Sequence, residues 1–487
     1  MEYILGIDIG TGSTKAVVLN LNYEPLDSFQ EYYSTYSSLP GYSEQDPEDI
    51  WTAFKACITE MTNRCGGIPV AIGLSSAMHS LISVDEDGIA LAPMMTWADS
   101  RSSEIATRIR TSEQGMIIYK KTGTPIHAMS PLCKIIWLYE HQRELFDRTY
   151  KFISIKEYIW YRLFKEFKID HSIASCTGLF DVEYLSWNED ALLMAKITTD
   201  RLSAPVSTSY NMKDASGVIF VIGASDGCLA NLGTEAIEPG VSALTIGTSG
   251  AVRIASTKPI FNERAMTFSY LLDEDTYICG GPVNNGGIAL QWFLKSTLGK
   301  DELSTADYTL FFEKVKAATA GSKGLIFLPY LTGERAPIWD SESCGTFFGL
   351  RLHHRQEQFS RAVLEGICYA LNEVLLAVEQ YSEEIKQINV SGGFVHSRIW
   401  MEILADITGK EIVLLQTEDA SALGAAYLAI RAIGLSQVYP FSVREKQRIT
   451  PNPENHALYK KIFMIYQQLY PNLKGSMHEL DGLNIGD

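Results

Sequence analysis

Asp8 stands near the end of an apolar run, Tyr3 to Ile9, directly before the turn Gly10-Thr11-Gly12-Ser13. A turn of this composition presents unpaired backbone N–H groups and two hydroxyls at one point, a concave set of donors suited to a phosphate group. A carboxylate beside it stands where a Mg2+ ion bridging phosphate oxygens needs an oxygen ligand. An ordinary glycine hairpin has the same local signature. The pattern occurs again in mid-chain, where Val241 to Ile246 runs into Gly247-Thr248-Ser249-Gly250 and a returning run to Ala255. Two phosphate-type hairpins, each opening one half of the chain, point to a duplicated domain handling a nucleotide. A dinucleotide fingerprint is excluded, because Lys15 stands where its third glycine belongs and a strand follows the turn. A Walker loop is excluded for want of Gly-Lys-Ser/Thr at a helix start.

Further groups able to do chemistry fall at the ends of apolar stretches, where α/β folds place their ligands. Val218 to Ala224 leads to Ser225-Asp226 and a helix start, so Asp226 has the position of a base that accepts a proton from an alcohol. A helix N-cap would look the same. Val70 to Leu74 leads to Ser75-Ser76-Ala77-Met78-His79, which puts His79 in reach of a substrate or makes it a hydrogen-bonded structural residue. Thr96-Trp97-Ala98-Asp99-Ser100-Arg101 combines an aromatic platform, an acceptor and a fork-shaped donor. Polyols are held by such sets, and so are exposed salt-bridged turns. In the second half, glycine pairs open a helix at Gly286-Gly287, with Gln291 one turn on, and close a strand at Gly392-Gly393, with Ser397 beyond. Glycine there lets a flat group such as adenine lie against backbone. Tyr330 to Pro337, Tyr-Leu-Thr-Gly-Glu-Arg-Ala-Pro, is a polar loop after a strand.

The elements that must position these groups alternate strand and helix, an α/β pattern. Asp46-Pro47-Glu48-Asp49 is a helix start, with a capping carboxylate and Pro in the first turn. Lys156 to Trp160 reads as an amphipathic structural helix, Glu357 to about Tyr381 as a long helix, and Asp419 to Ile433 as a small-residue helix suited to close packing. At 487 residues the chain exceeds one core, and the second hairpin divides it into domains at 1–240 and 241–487. Its 41 Lys and Arg against 58 Asp and Glu give a net charge of −17, which argues against nucleic acid or an anionic membrane. No apolar run reaches the roughly 20 residues of a membrane span, and the start lacks the basic segment of a signal peptide. Eight scattered cysteines without a Cys-x-x-Cys pair fit reduced thiols in a cytoplasmic enzyme.

With these stretches placed, the chain resembles the FGGY family of carbohydrate kinases, of the actin-like ATPase superfamily, over essentially its full length. Met129 to His141 is similar to the family's first signature. Gly345 to Leu350, followed after a spacer by Gln358 to Glu365, is similar to its second. Within the family, Ala77 to Ile82, Thr96 to Arg101 and Thr177 to Asp181 look most like gluconate kinases. Xylulose kinases resemble it next, usually with Met-His-Gly where Met78-His79-Ser80 stands. The resemblance implies two actin-like (ribonuclease H-like) domains with nucleotide and sugar in the cleft between them, whose closure excludes water. It implies ATP as phosphoryl donor and Mg2+ held by Asp8. Thr11, Gly12, Ser13 and Lys15 would contact phosphates from one domain and Thr248 from the other. Gly287, Gln291, Gly393 and Ser397 would line the nucleoside pocket. Met78, His79, Trp97, Asp99 and Arg101 would bind the sugar, Arg101 meeting a sugar acid's carboxylate, and Asp226 would be the base. The expected partner is a small sugar or sugar acid; a homodimer is left open. The reading from another class is an actin-like ATP-driven switch or chaperone, which shares the hairpins but lacks both signatures and the sugar loops.

Overall fold

The computed structural model describes residues 2–416, 419–441 and 444–483. It divides into two compact units between which the chain passes more than once. One holds residues 1–237, 255–279 and 417–443; the other holds 238–254, 280–416 and 444–487.

The first unit is built on six strands. These are β1 (Tyr3–Ile9), β2 (Ser13–Asn20), β3 (Pro25–Tyr32), β4 (Ala71–Ser76), β5 (Asn211–Lys213) and β6 (Ile219–Ser225). They lie in the order β5-β6-β4-β1-β2-β3. β1 runs parallel to β4 and β4 to β6, so Ile9, Ser76 and Ser225 finish side by side. The side-chain period of two sorts residues between faces. Leu5, Ile7, Ala16 and Val18 join one core with Phe54 of the helix Pro47–Cys65 and Trp160 of the helix Ile155–Phe164. Ile4, Val17 and Leu19 join a second core with the helices Asp226–Gly233 and Ala420–Ala432. The start expected at Asp46 is as drawn: its carboxylate accepts from the Glu48 N–H, and Pro47 opens the helix.

The helix Ala420–Ala432 explains several glycines of this sheet. A Cβ on Gly6 would lie 1.9 Å from the Ala422 carbonyl oxygen, and one on Gly73 2.1 Å from that of Ala425. Backbone therefore packs on backbone, which larger residues on either side forbid.

The second unit repeats the plan with β7 (Val241–Ile246), β8 (Gly250–Ser256), β9 (Tyr277–Val283), β10 (Gln387–Ser391), β11 (Glu411–Leu415) and β12 (Glu445–Ile449), in the order β9-β8-β7-β10-β11-β12. β7 is antiparallel to β8 and parallel to β10, as β1 is to β2 and β4. The duplication expected from the two hairpins is thus a repeated strand topology. The helix Gln356–Glu379 has Val363, Ile367 and Leu371 fully buried.

Candidate active site

In the first unit the parallel strands deliver their last residues to one edge. Asp8 pairs in register with Ser75, whose hydroxyl donates to the Asp8 carboxylate at 2.6 Å, and across β2 with Lys15. Burial first, and the nearby Asp226 carboxylate second, push the Asp8 carboxyl up to about 7, against the lowering effect of the Ser75 bond. Asp419 raises it further and Lys15 lowers it. Lys15 itself is ion-paired with Asp419. Three carboxylates and one ammonium therefore share this edge.

Asp226 does not cap its helix. Ser225 is the N-cap, accepting from the Cys228 N–H, and the Asp226 carboxylate accepts from the Gly227 N–H at 2.7 Å. The strand end that carries it is locked from beneath. Lys156 donates to the Ala224 carbonyl at 2.8 Å and pairs with Asp170 at 2.8 Å, both side chains being 1% exposed. Ser172 accepts from the Ser225 N–H at 3.0 Å. Gly223 has φ +71, and a Cβ there would lie 1.7 Å from the Leu74 carbonyl. It sits where the β6 register shifts against β4, the kind of irregularity that re-aims a strand end.

The hairpin turn Gly10–Ser13 is fastened by distant side chains. Trp97 donates from Nε1 to the Thr11 hydroxyl at 2.9 Å, and Tyr33 donates to the Gly10 carbonyl at 2.5 Å. Gln45 donates to the Thr11 carbonyl at 2.5 Å, and Gln30 to the Ser13 hydroxyl at 2.7 Å. Gly12 is exposed, with nothing within 4 Å of where a Cβ would stand.

The expected sugar-loop residues also belong to this unit, in roles that differ from one another. Met78 is partly buried against the second core. His79 is buried, at φ +66, with Nδ1 2.8 Å from the Cys176 carbonyl. A carbonyl only accepts, so Nδ1 carries a proton; Nε2 lies 3.5 Å from the Tyr270 hydroxyl. Arg101, expected to meet a substrate carboxylate, is already met by two from the chain. It donates to both oxygens of Asp99, at 2.8 and 2.6 Å, and to Glu44 at 2.6 Å, and it lies 3.5 Å over the Tyr42 ring. Its side chain is 3% exposed and that of Asp99 fully buried. The pair is a closed, buried fixture rather than an open fork. Lys134, which its sequence position marked only as part of a family signature, is fully buried and donates to the carbonyls of His79 and Thr96, each at 2.6 Å. It ties the two expected sugar loops together. Burial lowers its ammonium to about 7.

In the second unit Thr248 is exposed at the tip of its turn. The turn is held by backbone: Gly247 N–H donates to the Ser249 carbonyl at 2.9 Å, Gly287 N–H to the Gly247 carbonyl at 2.7 Å, and Ile288 N–H to the Thr248 carbonyl at 3.0 Å. These last donors open the helix Gly287–Leu298, on which Gln291 is exposed. Gly392, at φ +96, packs 2.4 Å (as a built Cβ) from the Ile246 carbonyl, while Gly393 faces open space. The Ser397 hydroxyl is buried and has no partner among the described residues. Of the sequence-predicted residues, the structure joins Asp8 to Lys15 across β1 and β2, Trp97 to Thr11, and Gly287 to the turn that carries Thr248.

The N-terminal domain model of the FGGY family of carbohydrate kinases matches residues 3–233, and the C-terminal domain model matches residues 242–433. The chain belongs to the FGGY family. It is an ATP-dependent carbohydrate kinase with the two-domain actin-like fold. Among curated relatives, this kinase is 39% identical to the gluconokinase of Bacillus subtilis over 96% of its own length and 95% of the relative's. It is 28% identical to the xylulose kinase of Staphylococcus epidermidis, over 97% of each. Among solved structures it superposes on a gluconate kinase from Lactobacillus acidophilus with a TM-score of 0.93 at 33% identity, covering 98% and 99% of the two chains. It superposes equally, at 0.93 and 33%, on a ligand-bound xylulose kinase from the same organism, covering 99% and 100%.

Four parts of this kinase's site have no local signal in the sequence: Lys134, the Lys156–Asp170 pair, Ser172 and Asp419. Each acts on a residue at least 53 positions away, except Lys134 on Thr96, which is 38 away.

Proposed function

We propose that this kinase phosphorylates D-gluconate, moving the γ-phosphoryl group of ATP to the terminal hydroxyl to give 6-phosphogluconate. What carries this reading is the gap in identity at matched coverage, 39% to a gluconokinase against 28% to a xylulose kinase. The loop sequence Met78-His79-Ser80 is in keeping with it. The equal superposition on both kinds of enzyme carries no preference.

In this reading Asp226 accepts the proton of the attacking hydroxyl, its oxygen bonds to the γ-phosphorus, and ADP leaves with the electron pair of the broken P–O bond. The Asp8 edge suits a divalent ion: three carboxylates against one ammonium leave excess negative charge beside a phosphate turn. Among the described residues no group of three or more His, Cys, Asp or Glu side chains is placed to hold a metal ion. Mg2+ there would neutralise phosphate oxygens, with Asp8 as its protein ligand, directly or through water. Thr11, Gly12, Ser13 and Lys15 would bind phosphate oxygens, as would Thr248. Gly287, Gln291, Gly393 and Ser397 would receive the nucleoside, and the partnerless Ser397 hydroxyl supports that role. Met78, His79 and Trp97 would face the sugar, with Asp99–Arg101 and Lys134 holding those loops in place.

A cytoplasmic location is part of this reading; the cysteines are free thiols. No described helix is long and apolar enough to cross a membrane. The deciding experiment is a coupled ADP-release assay across gluconate, xylulose, ribulose, glycerol and fuculose. A kcat/KM highest for gluconate is expected; a higher value for xylulose overturns the substrate and leaves the kinase assignment standing. ATP hydrolysis at the same rate without any sugar would favour the switch reading.

A further inference from the structure

The polar loop Tyr330–Pro337 is the motif that the phosphoryl-transfer reading leaves without a task. It surrounds one buried carboxylate. Glu334 is 3% exposed, and burial raises its pKa against the lowering effect of its hydrogen bonds. One carboxylate oxygen accepts from the backbone N–H of Asn284 and, at 2.8 Å, from that of Arg335. The other accepts from the Asn285 side-chain amide at 3.1 Å. The same amide donates to the Gly333 carbonyl at 2.7 Å, and the Asn285 oxygen accepts from the Thr332 N–H and hydroxyl, each at 3.3 Å. Arg335 turns its guanidinium to the Asn284 side-chain oxygen at 2.7 Å and the Val283 carbonyl at 3.2 Å. The loop thus grips residues 283–285 at the end of β9 from every side.

The next two residues are Gly286 and Gly287, where the second phosphate turn is held. Gly287 and Ile288 donate to the carbonyls of Gly247 and Thr248. A Cβ on Gly286 would lie 2.5 Å from the Ser249 carbonyl, and one on Gly287 2.6 Å from that of Gly247. Backbone touches backbone with no side chain to absorb a shift. We propose that Glu334 is a positioning residue for the second phosphate turn, setting the Thr248 backbone through Asn284, Asn285 and the start of the helix Gly287–Leu298. This rests on the reading that the turn binds ATP phosphates.

A carboxylate is needed because both oxygens must accept. In Glu334→Gln the amide nitrogen faces an N–H donor whichever way it is turned, so one bond becomes a repulsion. Glu365 of the same unit is the matched control. It is 2% exposed and accepts from the Gly321 N–H, the Ser322 hydroxyl, Arg361 and Tyr459, none of which leads to the turn.

The test is isothermal titration of the full chain with ATP and Mg2+ in the absence of sugar, alongside thermal unfolding and the KM for sugar. Glu334→Gln should weaken ATP binding about tenfold while the sugar KM stays within twofold. Glu365→Gln should lower the unfolding temperature while leaving ATP affinity within twofold. Equal weakening in both variants, or unchanged affinity in Glu334→Gln, overturns the proposal. Should Glu334→Gln not fold, Thr332→Val decides. It removes only the hydroxyl bond to Asn285 and should weaken ATP binding about two- to threefold; no change overturns the proposal. A wild-type chain that binds no ATP would instead remove the phosphate reading itself, and the proposal with it.

Discussion

The turn at Gly10–Ser13 is fastened by side chains that arrive from far along the chain: Gln30, Tyr33, Gln45 and Trp97. The turn at Gly247–Gly250 is fastened by the first N–H groups of a helix and by glycines that let backbones meet. The first stands beside Asp8, Asp226, Asp419 and Lys15. The second presents an exposed Thr248 from a rigid backbone frame. Nearly the same four residues thus serve two designs. Where ionisable groups crowd a turn, side chains hold it in place. Where no ionisable group crowds the turn, its geometry is built into the main chain.

The contrast breaks most decisively at the charged edge. If proton transfer belongs to the first turn's side, Asp226→Asn should keep the fold and ATP binding and lose turnover by roughly 10²–10⁴-fold, the usual worth of general-base catalysis. A folded variant with near-normal kcat would remove the chemistry from this edge.

The second turn offers a cleaner cut. The Thr248 hydroxyl is exposed, so Thr248→Val should leave the unfolding temperature unchanged while raising the KM for ATP roughly tenfold or more, the cost of about 1.5–3 kcal/mol for a hydrogen bond to a charged group. Thr11→Val should raise that KM too, but with a measurable loss of stability, because Trp97 loses its acceptor. An effect of Thr248→Val on sugar affinity alone would make the middle hairpin a structural turn.

pH should separate the two turns as well. Asp8 titrates near 7 in the folded protein and near 3.9 in an unfolded chain. The folded state therefore keeps a proton that the unfolded chain releases, so stability falls as pH rises from about 4 to 7 and levels off above. Asp8→Asn should flatten this part of the thermal-unfolding profile of the nucleotide-free protein. A slope identical to wild type would mean that Asp8 is ionised throughout.

The smallest effect should come from Trp97→Phe. It keeps the ring and removes the N–H to Thr11, at a cost of about 0.5–1.5 kcal/mol, or roughly two- to tenfold in the KM for ATP. Unchanged ATP kinetics would show that the Trp97 bond does not matter to the turn.

What could be read in the sequence was what local chemistry announces. Both glycine turns follow apolar strands, Asp226 follows a strand end, and the small residues of Ala420–Ala432 announce close packing. The family resemblance added the activity. What could not be read was contact between distant segments. Nothing near Arg101 says that Glu44 will reach it, and that contact turns an apparent anion site into a closed ion-pair fixture. Nothing near Lys156 names Asp170 and Ala224, nor does the start of the small-residue helix name Lys15 as the partner of Asp419. Cap and base were locally equivalent readings of Asp226, and only the contact of Ser225 with Cys228 shows that Asp226 is not the cap.

The helix Ala420–Ala432 also bears on synthesis. It covers the sheet that begins at Tyr3, yet it is translated after residues 238–254 and 280–416 of the other unit. At the usual 5–20 residues per second, the chain from Ile237 to Ala432 takes roughly 10–40 s to emerge. During that interval the backbone-thin face at Gly6 and Gly73 has no cover on the ribosome. A polypeptide stopped at residue 240 should therefore aggregate, and co-expressed residues 255–279 and 417–443 would have to be tethered to it for the first unit to fold. The interleaving leaves the first unit unfinished until its last segment, 417–443, has emerged, although its strands are the first to be made.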